Sequence, residues 1–276
     1  MMANNILDKI LETKKKEVSF LTGSGRKKEL IAAAKDVPPA RDFQAAVTRK
    51  TDRPVNLVAE IKKASPSAGL ISENLEPARI AEEYQEGGAN AISVLTDRHY
   101  FRGRLEYIGE VREASGLPVL RKDFLIDPVQ LYESRAAGAD AVLLITAALE
   151  PAALVDMHAI AGELGMGILL EVHDARELEI VTVSPLEPSV NWVLGINNRN
   201  LETFEIDLDT TVKLRPMVPK QLPVVSESGI WDSRDVRRLA GVGVNAVLVG
   251  ESLVRSGDVK SAIKALLDEG KEGNGK

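Results

Sequence analysis

The sequence predicts a single (β/α)8 barrel of the TIM type, preceded by an N-terminal helical extension. Eight short apolar segments rich in β-branched residues recur along the 276-residue chain, a length that suits one such barrel. Most intervals between these segments carry a helical pattern of apolar residues. Because strands that alternate with helices indicate parallel βαβ units, eight of them in sequence favour a closed barrel over an open, doubly wound sheet.

The elements follow one another at regular intervals. The strands are expected at 56–62, 91–96, 118–123, 139–146, 167–173, 191–197, 223–228 and 245–250. The clearest helical patterns lie at 77–85, 105–114, 129–137, 151–164, 175–181 and 233–240. Pro77, Pro128 and Pro151 stand near the first helical position, where the missing amide hydrogen is harmless. Gly138 and Gly165 are typical of helix ends.

Residues 1–50 lie outside this eightfold pattern and are expected to form a helical extension packed across one end of the barrel. Apolar residues recur there at helical spacing, at Ile6, Leu7, Ile10, Leu11 and Val18. A second short helix is expected at 40–47. The barrel is assigned to 51–269, and the polar, glycine-rich stretch 270–276 is expected to be a flexible tail.

Composition argues against several classes of function. The net charge is −6 and the sequence pI is about 5.3, so neither a nucleic-acid surface nor an anionic membrane surface is expected. The absence of cysteine excludes disulfides and cysteine nucleophiles, and it fits a reducing cytoplasm. The longest apolar run, at 141–149, is too short to span a bilayer, and no secretion signal is evident. We therefore expect a cytoplasmic protein.

The end of the first strand carries the most informative residues, Glu60 and Lys62. Side chains two residues apart on a strand face the same way, so this carboxylate and this ammonium share one space. Burying both charges costs several kcal/mol unless they pair or serve chemistry. Taken by itself, the pair is equally compatible with a structural salt bridge.

Polar side chains also end other strands, at the rim where barrels of this class place their active sites. They are Lys122 at the end of the third strand (on one face with Phe124), Glu171 at the end of the fifth, Asn197 and Arg199 at the sixth, and Glu227 and Ser228 at the seventh. Lys122 in isolation resembles a solvated strand terminus, Asn197 suits a turn, and a direct role for His173 is not favoured. These simpler explanations do not account for charged residues at five of eight strand ends, all on one rim.

Small residues after the last two strands predict a phosphate site. Ser228-Gly229 and Gly250-Glu251 allow backbone N–H groups to approach a ligand closely. A short helix that begins near Glu251 would direct its first amides at the same point. Tight turns alone would also explain the glycines, but loops after strands seven and eight together favour phosphate.

Five motifs carry a resemblance to a known family. They are EIKKASPSAG at 60–69, LRKDF at 120–124, LLEVH at 169–173, GINNRNL at 195–201 and SESGI at 226–230. In this order and spacing they resemble the indole-3-glycerol-phosphate synthase family, over nearly the whole chain. The resemblance implies an N-terminal helix that covers the catalytic end of the barrel and helps to bind substrate.

The resemblance also implies a reaction. A carbon–carbon lyase of tryptophan biosynthesis would convert 1-(2-carboxyphenylamino)-1-deoxyribulose 5-phosphate to indole-3-glycerol phosphate, carbon dioxide and water. Lys122 would protonate the carbonyl oxygen as the carbon–carbon bond forms. Glu171 and the Glu60–Lys62 pair are candidates for the later proton transfers. How Lys62, Lys122 and Glu171 divide these steps stays open at this stage.

The other site residues are expected to bind the substrate. Lys62 would reach the phosphate, together with the backbone amides of Ser228, Gly229, Gly250 and Glu251. The sugar hydroxyls would meet Asn197, Glu227 and Ser228, while Arg199 would contact the anthranilate carboxylate. The remaining expected substrate contacts are Ser65 and the apolar walls Phe101, Phe124, Leu143, Leu201 and Leu248.

The expected partner is a phosphorylated small molecule, bound by a monomer. The implied reaction is redox-neutral, so no cofactor is expected, and Asp207 and Asp209 lack the third ligand of a metal site. Phosphoribosylanthranilate isomerase, a related barrel with the same phosphate site, is one alternative, but it relies on a cysteine that this chain lacks. A phosphate-binding barrel without catalysis is the other alternative, and it predicts damage at Glu60, Lys122 or Glu171, which is not seen.

Overall fold

Eight parallel strands close into a barrel in the computed structural model, which describes residues 6–23, 25–201 and 203–268. Each strand pairs with the next along the chain, and the eighth pairs with the first. The strands are β1 (Asn56–Ile61), β2 (Ala91–Leu95), β3 (Val119–Lys122), β4 (Ala141–Ile145), β5 (Gly167–Val172), β6 (Trp192–Asn197), β7 (Val224–Glu227) and β8 (Ala246–Val249). The predicted (β/α)8 barrel is confirmed, and every strand lies within its expected segment. The expected tail at 270–276 lies outside the described residues.

Helices surround the barrel. They are α1 (Ile6–Gly23), α2 (Arg26–Ala33), α3 (Phe43–Thr48), α4 (Pro77–Gly87), α5 (Arg98–Phe101), α6 (Tyr107–Ala114), α7 (Pro128–Ala136), α8 (Pro151–Glu163), α9 (Ala175–Val183), α10 (Asp209–Leu214), α11 (Ser233–Gly241), α12 (Glu251–Val254) and α13 (Val259–Leu267). The sequence pattern does not single out α2, α5, α10 or α13, none of which exceeds nine residues. In the described ranges no helix is both long and apolar enough to cross a bilayer.

The N-terminal helices cover both ends of the barrel, whereas the sequence predicted that they pack across only one end. Ile10 of α1 packs with Phe124 and Leu248 at the carboxyl ends of the strands. At the opposite end, Phe43 of α3 lies so close to Gly167, the first residue of β5, that a Cβ there would be 3.1 Å from the Phe43 Cβ. The boundary at residue 50 between extension and barrel stays a prediction.

The barrel interior is a packed core. Because successive side chains of a strand point to opposite faces, one set fills the interior and the other packs against the helices. The inward set includes Val58, Leu120, Leu143, Leu169 and Val225, all buried. This apolar floor supports the polar residues at the carboxyl ends of the strands.

Candidate active site

A pocket opens at the carboxyl ends of the strands and collects most of the predicted site residues. Those that line it are Glu60, Lys62, Ser65, Phe101, Lys122, Phe124, Glu171, Asn197, Arg199, Leu201, Glu227, Ser228, Gly229, Leu248, Gly250 and Glu251. In the described part of the chain, no three His, Asp or Glu side chains are grouped as a metal ion would require.

Leu143 is the one predicted wall residue that does not line the pocket. It is buried one layer deeper, where it pairs with Leu169 in the barrel floor. Ile145 lies two residues further along β4, on the same face and nearer the rim, and it lines the pocket instead. The depth of a residue depends on how far each strand extends, which the sequence pattern does not specify.

Lys122 lies among buried carboxyl groups. Its Nζ donates a hydrogen bond of 2.9 Å to Glu171 Oε2 and lies 2.9 Å from Glu227 Oε2. Lys122 is thus the ion-pair partner of Glu227, whose oxygens receive no other hydrogen bond from the described residues. Gly195 makes room for this carboxyl, since a Cβ there would lie 2.3 Å from Glu227 Oε1. Glu227 therefore retains hydrogen-bonding capacity in the pocket.

The three groups ionise differently. Burial alone would lower the pKa of Lys122. The nearby carboxylates of Glu171, Glu227 and Glu60 raise it by more than burial lowers it, so the pKa lies well above its usual value. Burial raises the pKa of Glu171, but Lys122 and His173 lower it more, to well below the usual range. For Glu227, burial and the Glu171 charge together outweigh Lys122 and raise the pKa to about 8. The three groups therefore titrate as an interacting set, in which Glu171 is the stronger acid and Glu227 the weaker one.

His173 lies against Glu171, although the sequence did not favour a direct role for it. Its Nε2 is 3.2 Å from Glu171 Oε1, and its Nδ1 is 2.9 Å from Glu177 Oε2 in α9. Burial lowers the pKa of His173, but the two carboxylates raise it more, to about 10. The imidazolium therefore holds Glu171 from the side opposite Lys122. The sequence analysis does not single out Glu177, although its position four residues after His173 is compatible with this contact.

The Glu60–Lys62 pair forms as the strand pattern predicts. Lys62 Nζ donates to Glu60 Oε1 at 2.7 Å, and both side chains are largely buried in the pocket wall. Across the opening, Arg199 Nη1 donates to Ser67 Oγ at 3.2 Å. Asn197 Oδ1 accepts from the Arg199 backbone N–H at 3.0 Å, so this asparagine also shapes its turn. Cationic side chains from two loops thus face the same space.

The loops after β7 and β8 present little side chain to the pocket. Ser228 and Gly229 have φ of 68° and 76°, two successive left-handed conformations. Buried Asn198 holds this turn, because its Nδ2 donates to Ser228 O at 3.0 Å. In the other loop, a Cβ on Gly250 would lie 2.8 Å from Glu60 Oε1. The close approach to Glu60 gives a physical reason for glycine at position 250.

The apolar half of the pocket comes from both the barrel and α1. The rings of Phe101 and Phe124 have centroids 6.2 Å apart with planes at 36°. Three residues of α1 also line the pocket, namely Ile6, Leu7 and Ile10. The sequence predicts the amphipathic helix that carries them, but not their individual places. Trp231, half exposed at the rim, is a further lining residue that the sequence did not single out.

Comparison with known proteins decides the family. The family model for indole-3-glycerol phosphate synthase matches residues 7–266, nearly the whole chain. The chain belongs to this family. A relative from Rhodopirellula baltica named indole-3-glycerol phosphate synthase is 47% identical over 262 residues, covering 95% of this chain and 98% of the relative. Another of that name, from Desulfotalea psychrophila, is 46% identical over 95% of this chain and 98% of its own.

Solved structures with low sequence identity share the fold. A 3-hexulose-6-phosphate synthase from Salmonella typhimurium has a TM-score of 0.60 at 13% identity, over 76% of this chain and 95% of its own. A chain of the tryptophan synthase α2β2 complex from Pyrococcus furiosus has a TM-score of 0.53 at 15% identity, over 78% and 98%. At such identities the likeness establishes the barrel architecture alone.

Proposed function

We propose that this chain closes the indole ring of 1-(2-carboxyphenylamino)-1-deoxyribulose 5-phosphate, releasing indole-3-glycerol phosphate, carbon dioxide and water. As a member of the indole-3-glycerol phosphate synthase family, it is a carboxy-lyase of tryptophan biosynthesis. The observation that carries the proposal is the position of Lys122, with Nζ 2.9 Å from both Glu171 and Glu227 in the pocket.

Ring closure begins when the aromatic carbon that bears the carboxylate attacks the ketone carbon. Negative charge develops on the ketone oxygen, and Lys122 Nζ transfers a proton to it as the new carbon–carbon bond forms. The carboxylates around Lys122 keep it an ammonium before the step and stabilise the site electrostatically. General acid help of this kind contributes about 10²–10⁴-fold to the rate.

Two leaving steps then restore aromaticity. Carbon dioxide departs, and the electron pair of its bond returns to the benzene ring. The hydroxyl formed from the ketone takes up a proton and leaves as water, while a base removes a proton from the adjacent carbon. Glu171, the ionised carboxylate beside Lys122, is the first candidate for the base, and the Glu60–Lys62 pair is the second candidate for these transfers.

Substrate binding divides between the two halves of the pocket. In the polar half, Lys62 and the backbone amides of 228–229 and 250–251 hold the phosphate. Asn197, Glu227 and Ser228 orient the sugar hydroxyls, which fits the free hydrogen-bonding capacity of Glu227 Oε1. Arg199 contacts the anthranilate carboxylate, and Ser65 lines the pocket beside the Lys62 loop.

The aromatic ring lies in the apolar half, against Phe101, Phe124, Leu201 and Leu248.

Because the reaction is redox-neutral, we propose that it needs no cofactor. We also infer that the chain acts as a cytoplasmic monomer without a nucleic-acid partner.

The test uses purified protein, the carboxyphenylamino-deoxyribulose phosphate and no added metal or cofactor. Indole fluorescence should rise with protein concentration and stay flat without protein. A phosphate-binding barrel without catalysis would give no rise, even though inorganic phosphate still protected it against heat. That result would contradict the proposed function.

A further inference from the structure

We propose that Lys14 of α1 is a positioning residue that assembles the aromatic-ring subsite from three separate segments of the chain. The inference rests on the proposed function, since it concerns the part of the substrate that carries the aromatic ring. The three segments are α1, the loop after β2 and the loop after β3. Lys14 itself does not line the pocket.

Lys14 joins these segments through ion pairs. Its Nζ lies 2.9 Å from Asp97 Oδ2, after β2, and 2.8 Å from Asp123 Oδ1, after β3. Glu17 of its own helix is 2.9 Å away. The Lys14 side chain is only 2% exposed and that of Asp97 is fully buried. A single buried ammonium thus connects the helix to two loops of the barrel rim.

Each of the two aspartates also holds an aromatic residue of the pocket. Asp97 Oδ1 accepts the backbone N–H of Tyr100 at 2.7 Å and of Phe101 at 3.2 Å, which begins α5. Asp123 Oδ1 accepts the Phe124 N–H at 2.8 Å. The two phenyl rings whose backbones are anchored in this way are those that face each other in the apolar half of the pocket.

The same ammonium fixes the helix above these rings. Ile10 lies one turn before Lys14 on the same face of α1, and it lines the pocket together with Ile6 and Leu7. Outside the ion pair, no described residue gives Asp97 Oδ2 a hydrogen bond. Without Lys14, Asp123 would keep its ion pair with Arg121, but buried Asp97 Oδ2 would have no partner among the described residues. Helix α1 would then have to move away to let water reach this oxygen.

The phosphate subsite is independent of this network. The loops proposed to hold the phosphate follow β7 and β8, and they contribute no atom to the Lys14 ion pairs. Loss of Lys14 should therefore weaken recognition of the aromatic ring and leave recognition of the phosphate intact. A protein that is merely less stable would lose both together.

The decisive variant is Lys14→Met, with the exposed neighbour Lys15→Met as matched control. We expect KM for the substrate to rise at least about tenfold, as for the loss of a fitted apolar contact, with a smaller change in kcat. Affinity for anthranilate should fall in parallel, while affinity for inorganic phosphate should stay at the wild-type value. Lys15→Met should match wild type in KM, in kcat and in its affinities for anthranilate and for inorganic phosphate.

Two results would overturn the inference. One is an unchanged KM and anthranilate affinity in Lys14→Met, and the other is an equal loss of anthranilate and phosphate binding. If Lys14→Met does not fold, Asp97→Asn replaces it, because the amide oxygen retains the cap on α5 while the ion pair is lost. A wild-type KM in Asp97→Asn would likewise refute the inference. If wild-type protein makes no product, the proposed function fails, while the anthranilate and phosphate titrations still decide the role of Lys14.

Discussion

Glu171 and Glu227 are two carboxyl groups on either side of one ammonium, yet they ionise in different pH ranges. Glu171 has a second cation, His173, against its other oxygen, so its pKa lies well below the usual range. Glu227 has no such partner, and its pKa rises to about 8 through burial and the Glu171 charge. Two carboxyl groups of different acidity therefore lie beside the same Lys122 ammonium.

The role of His173 can be tested by its effect on stability at alkaline pH. The folded-state pKa is about 10 and the ordinary value is 6.5. Its stabilising contribution is fully present below 6.5 and is lost as pH rises toward 10, because the unfolded chain releases the proton first. In His173→Asn, the free energy of unfolding should lack this decline, which denaturant titrations at several pH values would measure.

Glu227 titrates in the same pH range, so the difference between wild type and variant is the informative quantity. Exposed His99→Asn is the matched control and should retain the wild-type decline. The His173 variant should also move the acid limb of kcat/KM to higher pH, since Glu171 loses one of its two cations. Identical pH dependence in the His173 and His99 variants would contradict the ion pair proposed between the His173 imidazolium and Glu171.

Among the secondary-structure elements, the loop after β7 gives the sharpest prediction. Gly229→Ala places a Cβ at φ +76°, and this atom would lie 2.4 Å from Ile206 Cγ2. The loop must move, so the amides proposed to hold the phosphate move with it. We expect affinity for inorganic phosphate and for the substrate to fall about tenfold or more, measured by titration and by KM.

Gly257 provides the matched control, because it has φ +72° with nothing within 4 Å of a Cβ and lies outside the site pocket. Gly257→Ala should cost about 1–2 kcal/mol of stability through its backbone conformation alone. Its KM should equal that of wild type. Equal KM values in the two glycine variants would exclude the proposed phosphate role of the β7 loop.

The elements also show what the sequence can and cannot predict. The strands were located correctly because each is a run of β-branched residues bounded by proline or glycine. Such runs and their boundaries are local features of the sequence. Helix α1 was predicted from its periodicity, but its position over Phe124 follows from tertiary contacts that periodicity does not encode. Short helices such as α5 depend on one capping aspartate, Asp97, and leave little pattern.

At the scale of the whole molecule, the order of the strands predicts most of the site residues that come together. Once eight strands close in sequence, their carboxyl ends meet on one rim, so Glu60, Lys122 and Glu171 were placed together correctly. Depth along each strand was not predictable, which is why Leu143 was expected where Ile145 lies. Supporting charges such as Lys14 were also missed, since their partners come from distant segments. In a chain of net charge −6, the pocket brings the cations Lys62, Lys122 and Arg199 among several carboxyl groups.

In the proposed reaction, Lys122 supplies the proton for ring closure. The most direct measurement is turnover of Lys122→Met, beside the control Lys63→Met, together with the affinity of each variant for indole-3-glycerol phosphate. We predict that kcat of Lys122→Met falls about 10²–10⁴-fold, with product still bound, while Lys63→Met behaves as wild type. Near wild-type turnover in Lys122→Met would contradict the proposed role of Lys122 as the general acid.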